Sequence, residues 1–210
     1  MSGALRIDRV VTSGVFELDG GSWEVDNNVW VVGDDDEAVV IDAAHTAEPI
    51  LAAVAGRTVT AVVCTHGHND HVTAAPRLAA ALDAPILLHP GDDPLWQLTH
   101  PGLPYRHLSD NQRIPVAGTD LQVLHAPGHS PGSVCLHLPE ADTLFSGDTL
   151  FSGGPGATGR SYSDFPTIID SIRSRLLPLP AHTRVHTGHG DPTTIGTEAP
   201  HLSEWIARGH

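Results

Sequence analysis

The feature that most constrains this chain is the run Thr65–His71, whose sequence is Thr-His-Gly-His-Asn-Asp-His. Four side chains that can bind a metal ion fall within six residues of it: His66, His68, Asp70 and His71. An apolar, strand-like segment precedes the run, and a helical pattern from Val72 to Leu82 follows it. Imidazoles and a carboxylate delivered together at a strand end can hold one or two ions of Zn, Fe, Mn or Ni. The run therefore predicts a metal site at this junction.

Three further short segments each carry one ligand-type side chain beside a glycine. They are Ala126–Gly132 with His129, Phe145–Phe151 with Asp148, and His186–Gly190 with His189. In each, a β-rich segment ends in a turn, where glycine lets the backbone approach a crowded site. A lone histidine after glycine is more often structural than a ligand. The segments together with the first run predict a metal centre rather than a surface histidine cluster.

Taken in order, these segments resemble the five motifs of the metallo-β-lactamase superfamily, which are a strand-terminal Asp, HxHxDH, His, Asp and His. The matching residues span nearly the whole chain: Asp42, His66–His71, His129, Asp148 and His189. The resemblance implies a four-layer αββα sandwich, with the metal site on the loop edge between two sheets. We expect one such domain over residues 1–210. The alternation of strand and helix patterns alone predicts only a mixed α and β protein.

The resemblance also implies a dinuclear centre. The first ion would be held by His66, His68 and His129, the second by Asp70, His71 and His189, with Asp148 as the bridge. Three imidazoles with one open position are typical of catalytic zinc, and ions in such pairs lie about 3.5–4 Å apart. Asp42 is expected to accept a proton from the free nitrogen of a ligand histidine and so fix its tautomer. We expect two divalent ions, Zn in the first instance, with Fe or Mn as alternatives.

The composition favours a globular cytoplasmic enzyme. The chain has 210 residues, of which 40% are hydrophobic, enough for one large domain with a core. It contains no apolar run long enough to span a membrane and no charged-then-apolar leader pattern at its start. Cys64 and Cys135 lie in apolar, strand-like runs, so we interpret them as core residues in a reducing compartment. A disulfide between them is neither required nor excluded by the sequence.

The charge balance argues against a nucleic-acid partner. The net charge is −14, and all 11 basic residues other than histidine are arginine. Nucleic-acid binding needs a basic footprint that such a chain lacks. The acidic run Asp34–Glu37 stands between two apolar segments and predicts a solvated hairpin turn. The expected partner is a small molecule, and the sequence leaves the oligomeric state open.

The patterns predict a coarse order of elements. Strands are expected at Val10–Leu18, Asn28–Val32, Ala38–Ile41, Ala61–Cys64, Ala84–Leu88, Leu121–Leu124, Ser133–Leu138, Thr143–Phe145 and Thr183–His186. Helices are expected at Thr46–Ala55, Val72–Leu82, from an Asp164 cap to Leu177, and at Leu202–Ala207.

The segment Gly154–Gly159 satisfies GxGxxG but does not lie between a strand and a helix of a βαβ unit. We interpret it as a flexible loop beside the metal site. Arg160 and Tyr162, which follow it, are candidate substrate contacts.

The contexts of Asp148 and His189 resemble most closely the glyoxalase II-like thioesterases. Gly147–Phe151 and Thr187–Gly190 carry that likeness, together with Thr193–Gly196. It implies hydrolysis of an acyl thioester of a low-molecular-weight thiol by attack of a metal-bound hydroxide. Asp70 is the candidate catalytic residue, able to relay a proton besides its role as ligand. Glutathione thioesterases carry lysines that bind a carboxylate of the thiol, and the absence of lysine here favours a carrier such as a sugar-based thiol.

Three alternatives stay open. A mononuclear iron persulfide dioxygenase would use His66, His129 and Asp148, but those relatives carry GRTD where this chain has Gly159-Arg160-Ser161-Tyr162. A lactonase or other small-ester hydrolase would use the full ligand set. A metal-binding protein without activity is the third.

Overall fold

The computed structural model describes residues 3–209, and its strands form two six-stranded sheets. The strands of the first sheet lie in chain order: β1 (Arg6–Leu18), β2 (Gly21–Gly33), β3 (Glu37–Ile41), β4 (Thr58–Val63), β5 (Ile86–Leu88) and β6 (Arg106–His107). β1 to β3 are antiparallel, and β3 to β6 are parallel. The turn between β2 and β3 is the acidic run, where Asp34 Oδ1 accepts hydrogen bonds from the N–H groups of Asp36 and Glu37.

The second sheet is built from the other half of the chain. Its strands are β7 (Arg113–Val116), β8 (Thr119–His125), β9 (Val134–Leu138), β10 (Thr143–Gly147), β13 (Arg184–Thr187) and β14 (Thr193–Thr194). Their order across the sheet is β14, β13, β10, β9, β8, β7, and only the pair of β10 and β13 is parallel. A separate two-stranded ribbon joins β11 (Leu150–Phe151) to β12 (Gly154–Pro155).

Helices cover the outer face of each sheet. They are α1 (Ala47–Val54), α2 (Asn69–Val72), α3 (Ala75–Leu82), α4 (Asp93–Thr99), α5 (Phe165–Ser171, continued as a π-helical turn over Ile172–Leu176), α6 (Ile195–Glu198) and α7 (Leu202–Arg208). Short 3₁₀ turns cover Pro90–Asp92, Pro139–Ala141 and Ala199–His201.

Three buried clusters fill the spaces between these layers. In β2, Val29 and Val31 pack toward α1 and α3, whereas Trp30 and Val32 point between the sheets. Successive side chains of a strand point to opposite faces, so a strand that is covered on both faces is apolar at every position. Trp205 of α7 belongs to the third cluster, on the outer face of the second sheet. The predicted four-layer αββα architecture is confirmed.

The sequence patterns missed several short elements and misjudged one helix. The expected helix over Val72–Leu82 is two helices, since Pro76 lies in the first turn of α3 and the chain restarts there after α2. The elements β6, β7, β11, β12, β14, α4 and α6 were not predicted. They are short, and most have too few residues to show a period.

The two cysteines lie on opposite sides of the fold. Cys64 belongs to the cluster under α1 and α3, and Cys135 to the cluster under α5 and α7. Both are buried free thiols, which resolves the open question of a disulfide. Among residues 3–209, no helix is both long and apolar enough to cross a membrane.

Candidate metal centre

All the predicted ligands meet at one edge of the sandwich. Asp42 follows β3, the run Thr65–His71 follows β4, Asp148 follows β10 and His189 follows β13. β3 is parallel to β4, and β10 to β13, so each pair delivers its carboxyl ends to the same edge, where ligands bind in open α/β sheets. His129 joins them from the loop between β8 and β9.

The first cluster consists of three buried imidazoles. Nδ1 of His68 lies 3.0 Å from Nε2 of His129, and the ring of His66 stands 4.8 Å from both of theirs, measured between centroids. One nitrogen from each ring lies within 4.8 Å of the other two. The separations are those of ligands around a single ion.

The second cluster joins a carboxylate to two imidazoles. Nε2 of His71 lies 3.2 Å from Nε2 of His189 and 3.5 Å from Oδ2 of Asp70. Nε2 of His189 lies 3.3 Å from the same Asp70 oxygen. These three atoms form a nearly equilateral triangle, a further arrangement suited to one ion.

Asp148 lies between the two clusters. Its Oδ2 is 3.7 Å from Nε2 of His129 in the first and 3.4 Å from Nε2 of His189 in the second. Its Oδ1 is 3.4 Å from Nε2 of His71. One carboxylate therefore contacts ligand atoms of both clusters, as a bridging ligand must. Gly188 allows this approach, because a Cβ there would lie 2.2 Å from Oδ1 of Asp148.

Several ligand-type atoms in the centre are buried and lack a hydrogen-bond partner. They are Nε2 of His66, Oδ1 of Asp70 and Oδ1 of Asp148, together with Nε2 of His68 on the far side of its ring. Buried polar atoms are normally paired, and orphaned ones call for an explanation such as an ion. The donor set of imidazoles and carboxylates fits a pair of divalent metal ions.

The electrostatics of the two clusters differ. Burial, reinforced by the neighbouring imidazoles, lowers the pKa of His66 well below its ordinary value and that of His68 to about 3, so both are neutral, as metal ligands must be. Burial would raise the pKa of Asp70, yet the charge of His71 and hydrogen bonds from His189 and Asn27 lower it to about 2. Burial would likewise lower the pKa of His189, but Asp148 raises it to about 10. The second cluster therefore combines an ionised carboxylate with imidazoles whose pKa values are raised, whereas His66 and His68 of the first cluster are neutral.

Asp42 occupies the position expected of a residue that orients a ligand. Its Oδ2 lies 3.0 Å from Nδ1 of His71, and its Oδ1 accepts the backbone N–H of Thr65 at 2.7 Å. The Thr65 hydroxyl donates to Oδ2 at 2.8 Å. The carboxylate thus fixes both the His71 ring and the start of the ligand loop.

Asp92 is a site residue that the sequence patterns missed. Its buried carboxylate accepts the backbone N–H of Gly67 at 2.7 Å, the hydroxyl of Ser130 at 2.6 Å and the backbone N–H of Gly132 at 2.5 Å. Burial raises the pKa of Asp92, and these three hydrogen bonds oppose the shift. Asp92 therefore fastens the loop of His66 and His68 to the loop of His129. Its position just after the short strand β5 was the one available indication.

Asn27 is the second residue that was missed. Its side chain is fully buried, with Nδ2 directed into the second cluster and Oδ1 lying 2.7 Å from Nε2 of His45. The sequence offered one indication, the polar run Asp26–Asn28 inside the otherwise apolar end of β2. His45 contacts the site through Asn27.

A cavity of about 400 Å³ opens onto both clusters. Its lining includes His68, Asp70 and Asp148 from the clusters, and Phe16 and Trp23 from the hairpin of β1 and β2. This volume is in the range of sites for small molecules.

Arg160 lines this cavity and Tyr162 does not belong to its lining. The Arg160 guanidinium carbon stands 3.7 Å from the centroid of the Trp23 ring and 5.5 Å from that of Phe16. The backbone N–H of Ser161 donates to Oδ2 of Asp19 at the hairpin tip, which holds this loop against the hairpin. Tyr162 is 44% exposed. The segment before it lies beside the site as expected, with the carbonyl of Ala157 2.9 Å from Nδ1 of His129.

The fold and this cluster of ligands together define a metallo-hydrolase type of centre. The family model of the metallo-β-lactamase superfamily matches residues 23–189, and the chain belongs to that superfamily. Membership supports a metal-dependent hydrolase, and the His and Asp clusters suggest a dinuclear site.

Three similar proteins bear on the chemistry. Hydroxyacylglutathione hydrolase GloC of Haemophilus influenzae is 34% identical over 188 residues, which cover 81% of this chain and 89% of that protein. The di-iron-bound form of TTHA1623 matches with a TM-score of 0.76 at 40% identity, over 83% of this chain and 93% of that one. ETHE1 from Myxococcus xanthus matches with a TM-score of 0.72 at 26% identity, over 87% of this chain and 84% of that one.

Proposed function

We propose that this protein is a dinuclear metal-dependent hydrolase that cleaves an acyl thioester of a low-molecular-weight thiol. The observation that carries the proposal is the bridging position of Asp148 between two complete ligand clusters, all opening onto one cavity. The likeness to hydroxyacylglutathione hydrolase GloC supports the thioester as substrate class.

In this proposal, His66, His68 and His129 would hold the first ion. Asp70, His71 and His189 would hold the second, and Asp148 would contribute to both. Bound divalent ions lower the pKa of a coordinated water toward neutrality and polarise a carbonyl oxygen. Asp70 also has a catalytic role: its Oδ2 faces the second cluster, while Oδ1 has no hydrogen-bond partner and can accept a proton. Its lowered pKa keeps the carboxylate ionised, as a metal ligand must be.

The cavity provides the substrate contacts. Phe16 and Trp23 offer an apolar wall for the acyl or thiol portion, and Arg160, stacked on that wall, offers hydrogen-bond donors and a positive charge. Tyr162 stays a predicted contact. A thiolate is a good leaving group at neutral pH because its conjugate acid has a modest pKa, so no strong general acid is required beside the sulfur. The cytoplasmic location and the lack of a nucleic-acid partner remain predictions.

A persulfide dioxygenase is the second candidate, supported by the likeness to ETHE1. It would need one iron, on His66, His129 and Asp148. The complete second cluster of Asp70, His71 and His189 favours the hydrolase instead. A lactonase would use both clusters, as the thioesterase would.

The test is a side-by-side assay of metal-loaded protein with S-acyl thioesters of several small thiols, with lactones, and with a thiol persulfide under oxygen monitoring. We expect thioester turnover, lost in both His68→Ala and Asp70→Ala. Turnover of lactones alone would show that the protein is a lactonase and not a thioesterase. Persulfide-dependent oxygen uptake would show that it is a dioxygenase and not a hydrolase. Wild-type activity in either variant would contradict the assigned roles.

A further inference from the structure

The side-chain amide nitrogen of Asn27 lies close to all three ligand-type atoms of the second cluster. Its Nδ2 lies 3.0 Å from Oδ2 of Asp70, 3.2 Å from Nε2 of His71 and 3.4 Å from Nε2 of His189. The other three separations among these atoms are 3.2, 3.3 and 3.5 Å. All six edges are therefore nearly equal, and the four atoms form an almost regular tetrahedron.

The size of this tetrahedron is informative. Edges of about 3.3 Å place the centre about 2.0 Å from every corner, which is the length of a bond from zinc to an imidazole nitrogen or a carboxylate oxygen. Four side chains thus surround one point at bonding distance. Only three of them belong to the superfamily motifs given above.

We infer that Asn27 is a further ligand of the second metal ion, through its amide oxygen; the inference rests on the dinuclear centre of the proposed function. An amide nitrogen has no free lone pair for a metal, whereas the amide oxygen has two. A half-turn of the amide about its last side-chain bond exchanges the two atoms and places Oδ1 at the fourth corner. Asn carbonyl oxygens are established ligands of divalent cations.

His45 accommodates both orientations of the amide. Its Nε2 lies 2.7 Å from the outward atom of Asn27, and an imidazole nitrogen can donate or accept according to its tautomer. With Oδ1 on the ion, Nδ2 would donate to a bare Nε2 of His45. The amide atom of Asn27 that faces away from the cluster therefore has His45 as its hydrogen-bond partner in either orientation.

The structure around His45 is specialised for this contact. His45 adopts a left-handed backbone conformation with φ of 54°, which costs a non-glycine residue energy. Its ring packs onto Gly14 of β1, where a Cβ would lie 2.1 Å from Nδ1. The left-handed backbone of His45 and the missing Cβ of Gly14 thus allow this imidazole to contact the fully buried Asn27.

Metal binding, measured without reference to turnover, tests the inference. Wild type, Asn27→Leu and Asn27→Asp would be stripped with chelator and titrated with Co²⁺ against a competing chromophoric chelator, and their visible Co²⁺ spectra recorded. Leucine preserves the volume and removes the ligand atom, whereas aspartate keeps an oxygen at the same place. Urea unfolding of the metal-free proteins checks that each variant is folded.

If Asn27 is a ligand, wild type binds two ions, and Asn27→Leu loses about 100-fold or more of its affinity for the second ion, with a changed spectrum. Asn27→Asp keeps that affinity within about 10-fold. If Asn27 only donates a hydrogen bond to Asp70, aspartate would repel that carboxylate, and Asn27→Asp would bind the second ion as weakly as Asn27→Leu or more weakly; this result overturns the inference. Equal affinity in all three proteins also overturns it. Fewer than two ions in wild type would count against the dinuclear centre itself.

Discussion

Oδ2 of Asp42 lies 3.0 Å from Nδ1 of His71, and both side chains are buried. By accepting a proton from Nδ1, the carboxylate fixes the tautomer of His71 that leaves Nε2 free to bind an ion beside Asp70 and His189. Loss of a hydrogen bond that orients a ligand in this way typically lowers metal affinity about 10- to 100-fold. Asp42 therefore supports the ligand set without belonging to it.

Asp42→Asn should weaken binding of the second ion about 10- to 100-fold without unfolding the chain. Asparagine tolerates the left-handed backbone of this position, where φ is 57°, but lacks the charge that orients His71. Metal content after dialysis against a weak chelator measures the effect. Asp83→Asn is the matched control, because Asp83 is exposed and has φ of 52°. Two retained ions in Asp42→Asn would refute the assigned role.

Asp92→Asn should destabilise the protein by about 2–4 kcal/mol and release the first ion more readily. Three donors converge on this carboxylate, and hydrogen bonds to charged groups contribute about 1.5–3 kcal/mol each. An asparagine at this position would direct its NH₂ group at one or more of those donors, and two donors cannot form a hydrogen bond with each other. Urea unfolding and metal content report the two effects, with the exposed neighbour Asp93→Asn as control. If the two variants behave alike, Asp92 does not hold the loops together.

Arg160→Met should raise KM about 10-fold for thioesters whose thiol carries an anionic group, with kcat little changed. Methionine keeps an apolar contact with Trp23 and removes the charge, and a tenfold change corresponds to about 1.4 kcal/mol. Thioesters of a neutral thiol should be nearly unaffected. Arg173→Met, which alters an exposed ion pair with Asp170, is the control. An unchanged KM with every substrate would remove Arg160 from the substrate contacts.

His186 should make the protein less stable in mild acid. Burial, with the charges of Arg184 and Arg9, lowers its pKa to about 4 from an ordinary 6.5. In the unfolded chain, His186 therefore binds a proton below about pH 6.5, whereas in the folded chain it does so only below about pH 4. Stability is unaffected by this group above pH 7, falls between 6.5 and 4, and the loss reaches up to about 3 kcal/mol.

His186→Phe tests this expectation, since phenylalanine can stack between Trp30 and Phe145 as the imidazole does. Urea unfolding of chelator-treated protein from pH 7.5 to 4 should show a shallower decline in the variant than in wild type. Parallel declines would mean that His186 titrates normally in the folded protein.

The sequence predicted the ligand edge because the ligands follow apolar strands within short, glycine-containing motifs. His66 to His71 and Asp148 could be placed without knowledge of the pairing between strands. Asp92 and Asn27 could not, because each acts through residues tens to more than a hundred positions away, which only the packing of the two sheets brings together. The break between α2 and α3 was also missed, since their shared apolar face continues across it.

The proposed function requires this chain to hold two metal ions at one carboxylate-bridged centre. Its most direct test is a titration of metal-free protein with Zn²⁺, followed by removal of free metal and elemental analysis. We expect a plateau at two ions per chain, falling to at most one in His68→Ala. A plateau at one ion in wild type, unchanged by substitution in the second cluster, would contradict it.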